Sequence, residues 1–133
     1  MKTVLLKLLI VICVCASTHV FGQELSIIPE PVQMKRNAGT FIIDRTTVIS
    51  VSKQPEVARV ARYFNEKIKK ASGFDLKISE GGSGNILLAL NEKRDPKAGE
   101  EGYSLEVTTD RITVNANQAA GLFYGIQTLL QLL

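Results

Sequence analysis

Gln118-Ala-Ala-Gly-Leu-Phe-Tyr-Gly-Ile-Gln-Thr-Leu-Leu-Gln-Leu-Leu133 is the last stretch of the chain, and its reading decides how the rest is read. Apolar side chains recur at Ala119, Leu122, Phe123, Ile126, Leu129, Leu130 and Leu133, the three-and-four spacing of a helix with a broad buried face. The other sides carry Gly121 and Gly125, four apart, and a second line of Tyr124, Gln127 and Gln131. No charged residue occurs after Arg111. A helix on the surface of a free domain shows charge to water, so this one is expected to be covered on more than one side. Leu122, Ile126, Leu129 and Leu133 are expected to pack on a sheet of the same domain. Tyr124, Gln127, Gln131 and Leu132 are expected to meet a further partner. The paired glycines suggest a membrane helix-pairing motif, but roughly 16 residues interrupted by Gln118, Gln127 and Gln131 are too short and too polar to span a bilayer. They are read instead as points where a strand or a neighbouring backbone comes close.

The stretches leading into this helix read as a hairpin. Tyr103 to Thr108 and Arg111 to Ala116 alternate cleanly around a Thr109-Asp110 turn, and Asn117 stands where it can cap the helix. Further back, Asn91 to Gly102 is polar, contains Pro96 and two glycines, and reads as an exposed loop. Asn85 to Leu90 is almost wholly apolar and reads as a central strand buried on both faces. Glu80-Gly-Gly-Ser-Gly84 resembles a phosphate loop only superficially. It has no following Lys-Ser/Thr pair and leads into a strand, so it is read as a flexible connection. Leu76 to Ser79 is a short strand.

A second helix starts at Pro55 and stops at Gly73. Val57, Val60, Ala61, Phe64, Ile68 and Ala71 form its buried stripe, while Arg59, Arg62, Glu66, Lys67, Lys69 and Lys70 face water. The acid among those bases marks a solvated face rather than a binding patch. Two strands rich in β-branched residues, Thr40 to Asp44 and Thr47 to Val51, precede it. Leu25 to Val32 enters extended, with Pro29 and Pro31 forbidding a helix. The order of strands, helix, strands, helix implies an α/β (α+β) domain: a mixed sheet of about five to seven short strands with two helices packed on it.

The start of the chain reads as a signal peptide over residues 1–22, leaving one domain over 23–133. Lys2 and Lys7 supply the positive region, Leu8 to Ala16 the apolar run, and Val20-Phe21-Gly22 a cleavage site before Gln23. The apolar core is too short for an uncleaved spanning anchor. Lipid attachment at Cys13 or Cys15 is disfavoured by the bulky Ile12 and Val14. An exported, periplasmic or extracellular, domain follows. The net charge of +3 includes both leader lysines, and about +1 remains without them. Neither nucleic acid nor, after cleavage, a membrane is therefore expected as a partner.

Both cysteines and the single histidine, His19, also lie in the leader. The domain thus has no thiolate nucleophile, no imidazole acid or base and no ordinary zinc ligand set. Glu100-Glu101 is the nearest approach to a carboxylate pair. Adjacent residues in a glycine-flanked loop are not held apart at a fixed distance in a concave site, so they are read as solvated. No catalytic residue, cofactor or metal is expected in this domain.

Three stretches together are similar to exported β-N-acetylhexosaminidases of glycoside hydrolase family twenty. They are Ile27-Ile-Pro-Glu-Pro-Val-Gln33 with Gly39-Thr-Phe-Ile-Ile-Asp44, then Glu101-Gly-Tyr-Ser-Leu-Glu-Val107 with Ile112-Thr-Val-Asn-Ala116, and finally Ala119 to Leu133. The last is the most specific. The resemblance implies the zincin-like N-terminal domain of that family, which carries neither metal nor catalytic groups and precedes a (β/α)₈ barrel. In the barrel an Asp-Glu pair assists attack by the substrate's own acetamido group. No counterpart of those barrel residues occurs in this sequence. The implied partner is that catalytic barrel, facing Tyr124, Gln127, Gln131 and Leu132, in a chain truncated before it; exposure of the same face implies self-association. The competing expectation is a stand-alone exported module that binds a glycan or a protein.

Overall fold

The computed structural model describes residues 26–133; the proposed leader lies outside the described residues. Among the described residues, five strands and two helices follow one another as β1 (Val48–Val51), α1 (Pro55–Ser72), β2 (Lys77–Glu80), β3 (Ile86–Leu90), β4 (Tyr103–Val107), β5 (Ile112–Ala116) and α2 (Ala119–Gln131). They form one sheet in the order β2-β1-β3-β5-β4, parallel except for the antiparallel β4–β5 hairpin. The mixed sheet with two helices is the α+β arrangement the sequence implies, at the lower end of the expected strand count.

α1 forms where its sequence asks for it. Pro55 occupies the first turn with Glu56 beside it, and Lys69 and Lys70 sit in the last turn, each matching the sign of the nearby helix end. Gly73 closes the helix in the left-handed region, at φ 76°, donating its N–H to the Lys69 carbonyl at 2.9 Å. Val57, Val60, Ala61, Phe64 and Ile68 are buried as expected, but Ala71 is exposed because the stripe has already turned away from the sheet.

The register explains the core. Ile78, Ile49, Ile86, Ile112 and Val107 line up across the sheet, with Val51, Leu88, Val114 and Leu105 in the next row. These rows meet α1 and α2, which lie side by side and touch each other as well as the sheet. Both helices therefore cover one face. The opposite row, Ser79, Ser50, Leu87, Thr113 and Glu106, is mostly small or polar. That corrects one expectation: β3 is the central strand, but Leu87 and Ala89 on its second face are only half-buried.

Two stretches expected to be extended pair with nothing in the sheet. Thr40 to Asp44 forms no strand, although Phe41 and Ile43 reach the core while Ile42 is exposed. The alternation is real, but Asp44 then turns the chain. Its carboxylate accepts from the backbone N–H of Thr46 and Thr47 and from both hydroxyls, at 2.7–3.3 Å. The entry around Pro29 is likewise irregular, with a cis Ile28–Pro29 peptide, and only Ile27 of it is buried in the core.

Candidate functional site

α2 descends on the hairpin because its glycines permit it. A β-carbon at Gly121 would collide with the Gly102 carbonyl oxygen and stand 2.8 Å from the Ala116 β-carbon. At Gly125 it would stand 2.5 Å from Val114 Cγ1 and 3.2 Å from the Tyr103 ring. Close approach buries Leu122, Ile126 and Leu129 completely or nearly so. It also brings the Tyr103 and Thr128 hydroxyls into hydrogen bonding at 2.5 Å. Leu133 was expected on this face, but the helix has ended at Gln131 and Leu133 is exposed.

The outward face holds two aromatic rings. Tyr124 is 43% and Phe123 37% exposed, so Phe123, expected in the buried stripe, lies at its margin instead. The Phe123 ring is 5.2 Å from that of Tyr63 on α1, a tilted contact, and 6.0 Å from that of Tyr124, an edge-to-face one. Gln127, half-buried, donates from Nε2 to the Tyr63 hydroxyl at 3.0 Å. Gln131 accepts the Ile28 N–H at Oε1 and donates from Nε2 to the Ile28 carbonyl, both at 2.9 Å. Leu132 is half-buried at the helix end. Of the four residues expected to face a partner, Tyr124 stands open, and Gln127 and Gln131 already have partners within the domain. Sequence reasoning missed Tyr63 and Ile28. The first is flagged only by lying beside the α1 stripe. The second carries no local signal, since Gln131 lies 103 residues away.

Asn117 does not cap α2. The N-cap is Gln118, in extended conformation and without a side-chain cap bond. The Asn117 side chain points the other way. It accepts from the Asn91 side chain and the Asp95 N–H at 2.9 and 2.8 Å, and donates to the Asp95 and Gly99 carbonyls at 2.7 and 2.6 Å. It thereby holds the long loop between β3 and β4.

Among the described residues the resolved shifts fall on Asp44, Lys69 and Asp75. The hydrogen bonds from Thr46 hold Asp44 below its usual range, and the hydrogen bond from Lys69, followed by that from Asn65, does the same for Asp75. Lys69 is raised by the same Asp75 contact, at 2.7 Å. Each shift favours the charged form at the surface, the reverse of what a buried general acid needs. Glu100 and Glu101 are exposed, with Arg94 3.7 Å from Glu100. Among the described residues there is no cluster of His, Cys, Asp or Glu suited to a metal, and no helix long and apolar enough to cross a membrane.

Residues 24–133 match the family described as glycosyl hydrolase family 20, domain 2. A beta-hexosaminidase of Porphyromonas gingivalis is 33% identical over 115 residues, 85% of this chain and 14% of its own length. A beta-N-acetylhexosaminidase of Cellulomonas fimi is 31% identical over 112 residues, 81% of this chain and 22% of that protein. Among solved structures, Streptomyces plicatus N-acetyl-beta-hexosaminidase superposes with a TM-score of 0.75 at 37% identity, over 82% of this chain and 21% of that one. The chain thus spans less than a quarter of the length of each of these relatives. With the sheet, the helix pair and nearly every described residue accounted for, the chain belongs to the domain 2 family of glycosyl hydrolase family 20.

Proposed function

We propose that this chain is the non-catalytic accessory domain of a β-N-acetylhexosaminidase-like glycoside hydrolase, and that the outward face of α2 packs on the catalytic (β/α)₈ barrel. The observation that carries this reading is the uncharged face of Phe123 and Tyr124, left open on a helix whose other side is fully seated. The relatives named as hexosaminidases devote most of their length to something other than this domain, which leaves room for the catalytic machinery there. The lack of histidine and cysteine beyond the leader fits a supporting role. The purified chain is expected not to hydrolyse a chromogenic N-acetylglucosaminide; clear turnover retained through purification would end the non-catalytic reading.

The same proposal includes export. Lys2, Lys7 and the apolar run from Leu8 to Ala16 support a cleaved leader. Terminal sequencing of the mature protein is expected to begin at Gln23; a chain that retains Met1 and stays in the cytoplasm removes this part of the reading.

A further inference from the structure

Three segments far apart in the sequence meet at the end of the sheet where β1, β3 and β5 begin. The turn from Thr40 to Thr47, Asn85 just ahead of β3 and the Thr109-Asp110 corner of the hairpin line a hollow of about 340 Å³. Its walls are fixed. Asn85 accepts the Val48 N–H at Oδ1, 3.2 Å away, and its backbone carbonyl accepts the Ile112 N–H at 2.9 Å. Thr47 is buried, and its hydroxyl accepts the Asp44 N–H at 3.0 Å. Gly39, at φ 97°, lets the entry chain rest on the hairpin corner, where a β-carbon would stand 2.6 Å from Thr109 Cγ2. Several polar groups on these walls are nevertheless unspent among the described residues. The four bonds to the Asp44 carboxylate all go to Oδ1, which leaves Oδ2. Asn85 uses its amide oxygen but not its Nδ2. The Thr109 hydroxyl and the Asp110 carboxylate enter no hydrogen bond or ion pair.

We infer that this hollow binds a neutral sugar ring by its adjacent hydroxyl groups, and so holds the protein on glycan-bearing surfaces. An anionic ligand is turned away, because the lining carries two carboxylates and no lysine, arginine or histidine. A divalent cation is poorly served. Asp44 Oδ1 is already taken by four donors, and among the described residues no third acid joins the two. A sugar ring matches what remains. The free carboxylate oxygens accept from neighbouring hydroxyls, Asn85 Nδ2 donates, and the Thr109 hydroxyl does either. Phe41 and Ile42 supply the apolar part of the lining for the C–H face of the ring, and Phe41 is held there by its packing on the core. The volume lies at the small end for ligand pockets and suits one ring rather than a chain of them. With no tryptophan in the sequence, hydrogen bonds carry recognition. Affinity in an open hollow of this kind is on the order of 1–10 mM. Nothing at this site draws on α2 or on the barrel proposed to cover it, so either reading can fail without the other.

The test titrates the isotope-labelled chain with methyl β-D-glucopyranoside and follows its backbone amide resonances. Saturable shifts are expected at Thr40 to Thr47, Asn85, Thr109 and Asp110, and not along α2. Asp110→Ala removes a carboxylate that bonds nothing within the domain, and is expected to weaken binding about tenfold. Asp110→Asn keeps the shape and loses the charge, and is expected to weaken it about threefold. Glu100→Ala, on a carboxylate outside the hollow, is expected to leave binding unchanged. Should Asp110→Ala lose the dispersed spectrum of a folded chain, the isosteric Asp110→Asn decides alone. The inference is overturned if no shift saturates well above the expected range, if the shifts centre on other residues, or if the Asp110 variants bind as the parent does. Equal shifts with glycerol make the hollow a general polyol site and overturn the sugar assignment. Calcium chloride moving these amides while the sugar does not makes it a cation site, with the same consequence.

Discussion

Asn117 shows how far one residue's role can lie from its local signal. An asparagine immediately before an apolar helical run has the right chemistry for a cap. The loop from Asn91 to Gly102, however, needs its backbone groups satisfied, and the Asn117 amide supplies two donor bonds and two acceptor bonds to it. Four bonds from one half-buried side chain outweigh a single cap bond. Asn117→Ala is accordingly expected to cost about 1–3 kcal/mol, as the loss of four partly solvated bonds, each worth at most about 0.5–1.5 kcal/mol net, implies. Hydrogen exchange distinguishes the two roles. Amides of residues 91–102 are expected to exchange faster, while those of the first turn of α2 stay protected; fraying confined to Ala119–Leu122 would restore the cap. The sequence could not have shown this, because the partners are 18 to 26 residues away and are chosen by the path of a loop without periodicity.

Elements were legible in proportion to how much of their stabilisation is local. α1 was readable from end to end, since its proline start, its stripe and its glycine stop all lie within its own sequence. The β4–β5 hairpin was readable for the same reason: Thr108 closes the turn to Arg111 through both backbone and side chain. Thr40 to Asp44 misled because alternation reports which side chains face inward, whereas a strand also needs a neighbouring backbone in register, and this stretch pairs with neither edge of the sheet. The glycines of α2 were legible as sites of close approach, though what approaches came only from the structure. Gly121→Ala gains up to about 1 kcal/mol of helix propensity, yet its methyl group would meet the backbone of Gly102 and the side chain of Ala116. Backbone cannot swing aside as a flexible side chain does. The substitution is therefore expected to destabilise the chain by about 1–3 kcal/mol net in urea unfolding, the usual cost of overpacking. A neutral or stabilising result would mean that the helix can lift off the hairpin at little cost.

At the scale of the whole molecule, α2 sets an inward face that folds this domain against an outward face on which Phe123, Gln127 and Gln131 find partners within the domain and Tyr124 stands open. Spacing alone located Leu122, Ile126 and Leu129 on its inward side but also placed Phe123 and Leu133 there, which the structure leaves exposed. The entry segment was not legible, because Gln131 and Ile28 meet only when the two ends of the domain come together. The two faces should respond oppositely to mutation. Ile126 is fully buried between helix and sheet, so Ile126→Ala is expected to cost about 2–5 kcal/mol in the isolated chain. Tyr124 is nearly half exposed and its ring meets only Phe123 among the aromatic contacts. Tyr124→Lys is therefore expected to stay within about 0.5 kcal/mol of the parent in thermal or urea unfolding. Should Tyr124→Lys cost as much as Ile126→Ala, the outward face is core after all, and α2 would have no side left over for a second domain. If instead only the inward change is costly, the strip around Tyr124 takes no part in folding this domain and stays open to the contact proposed for it.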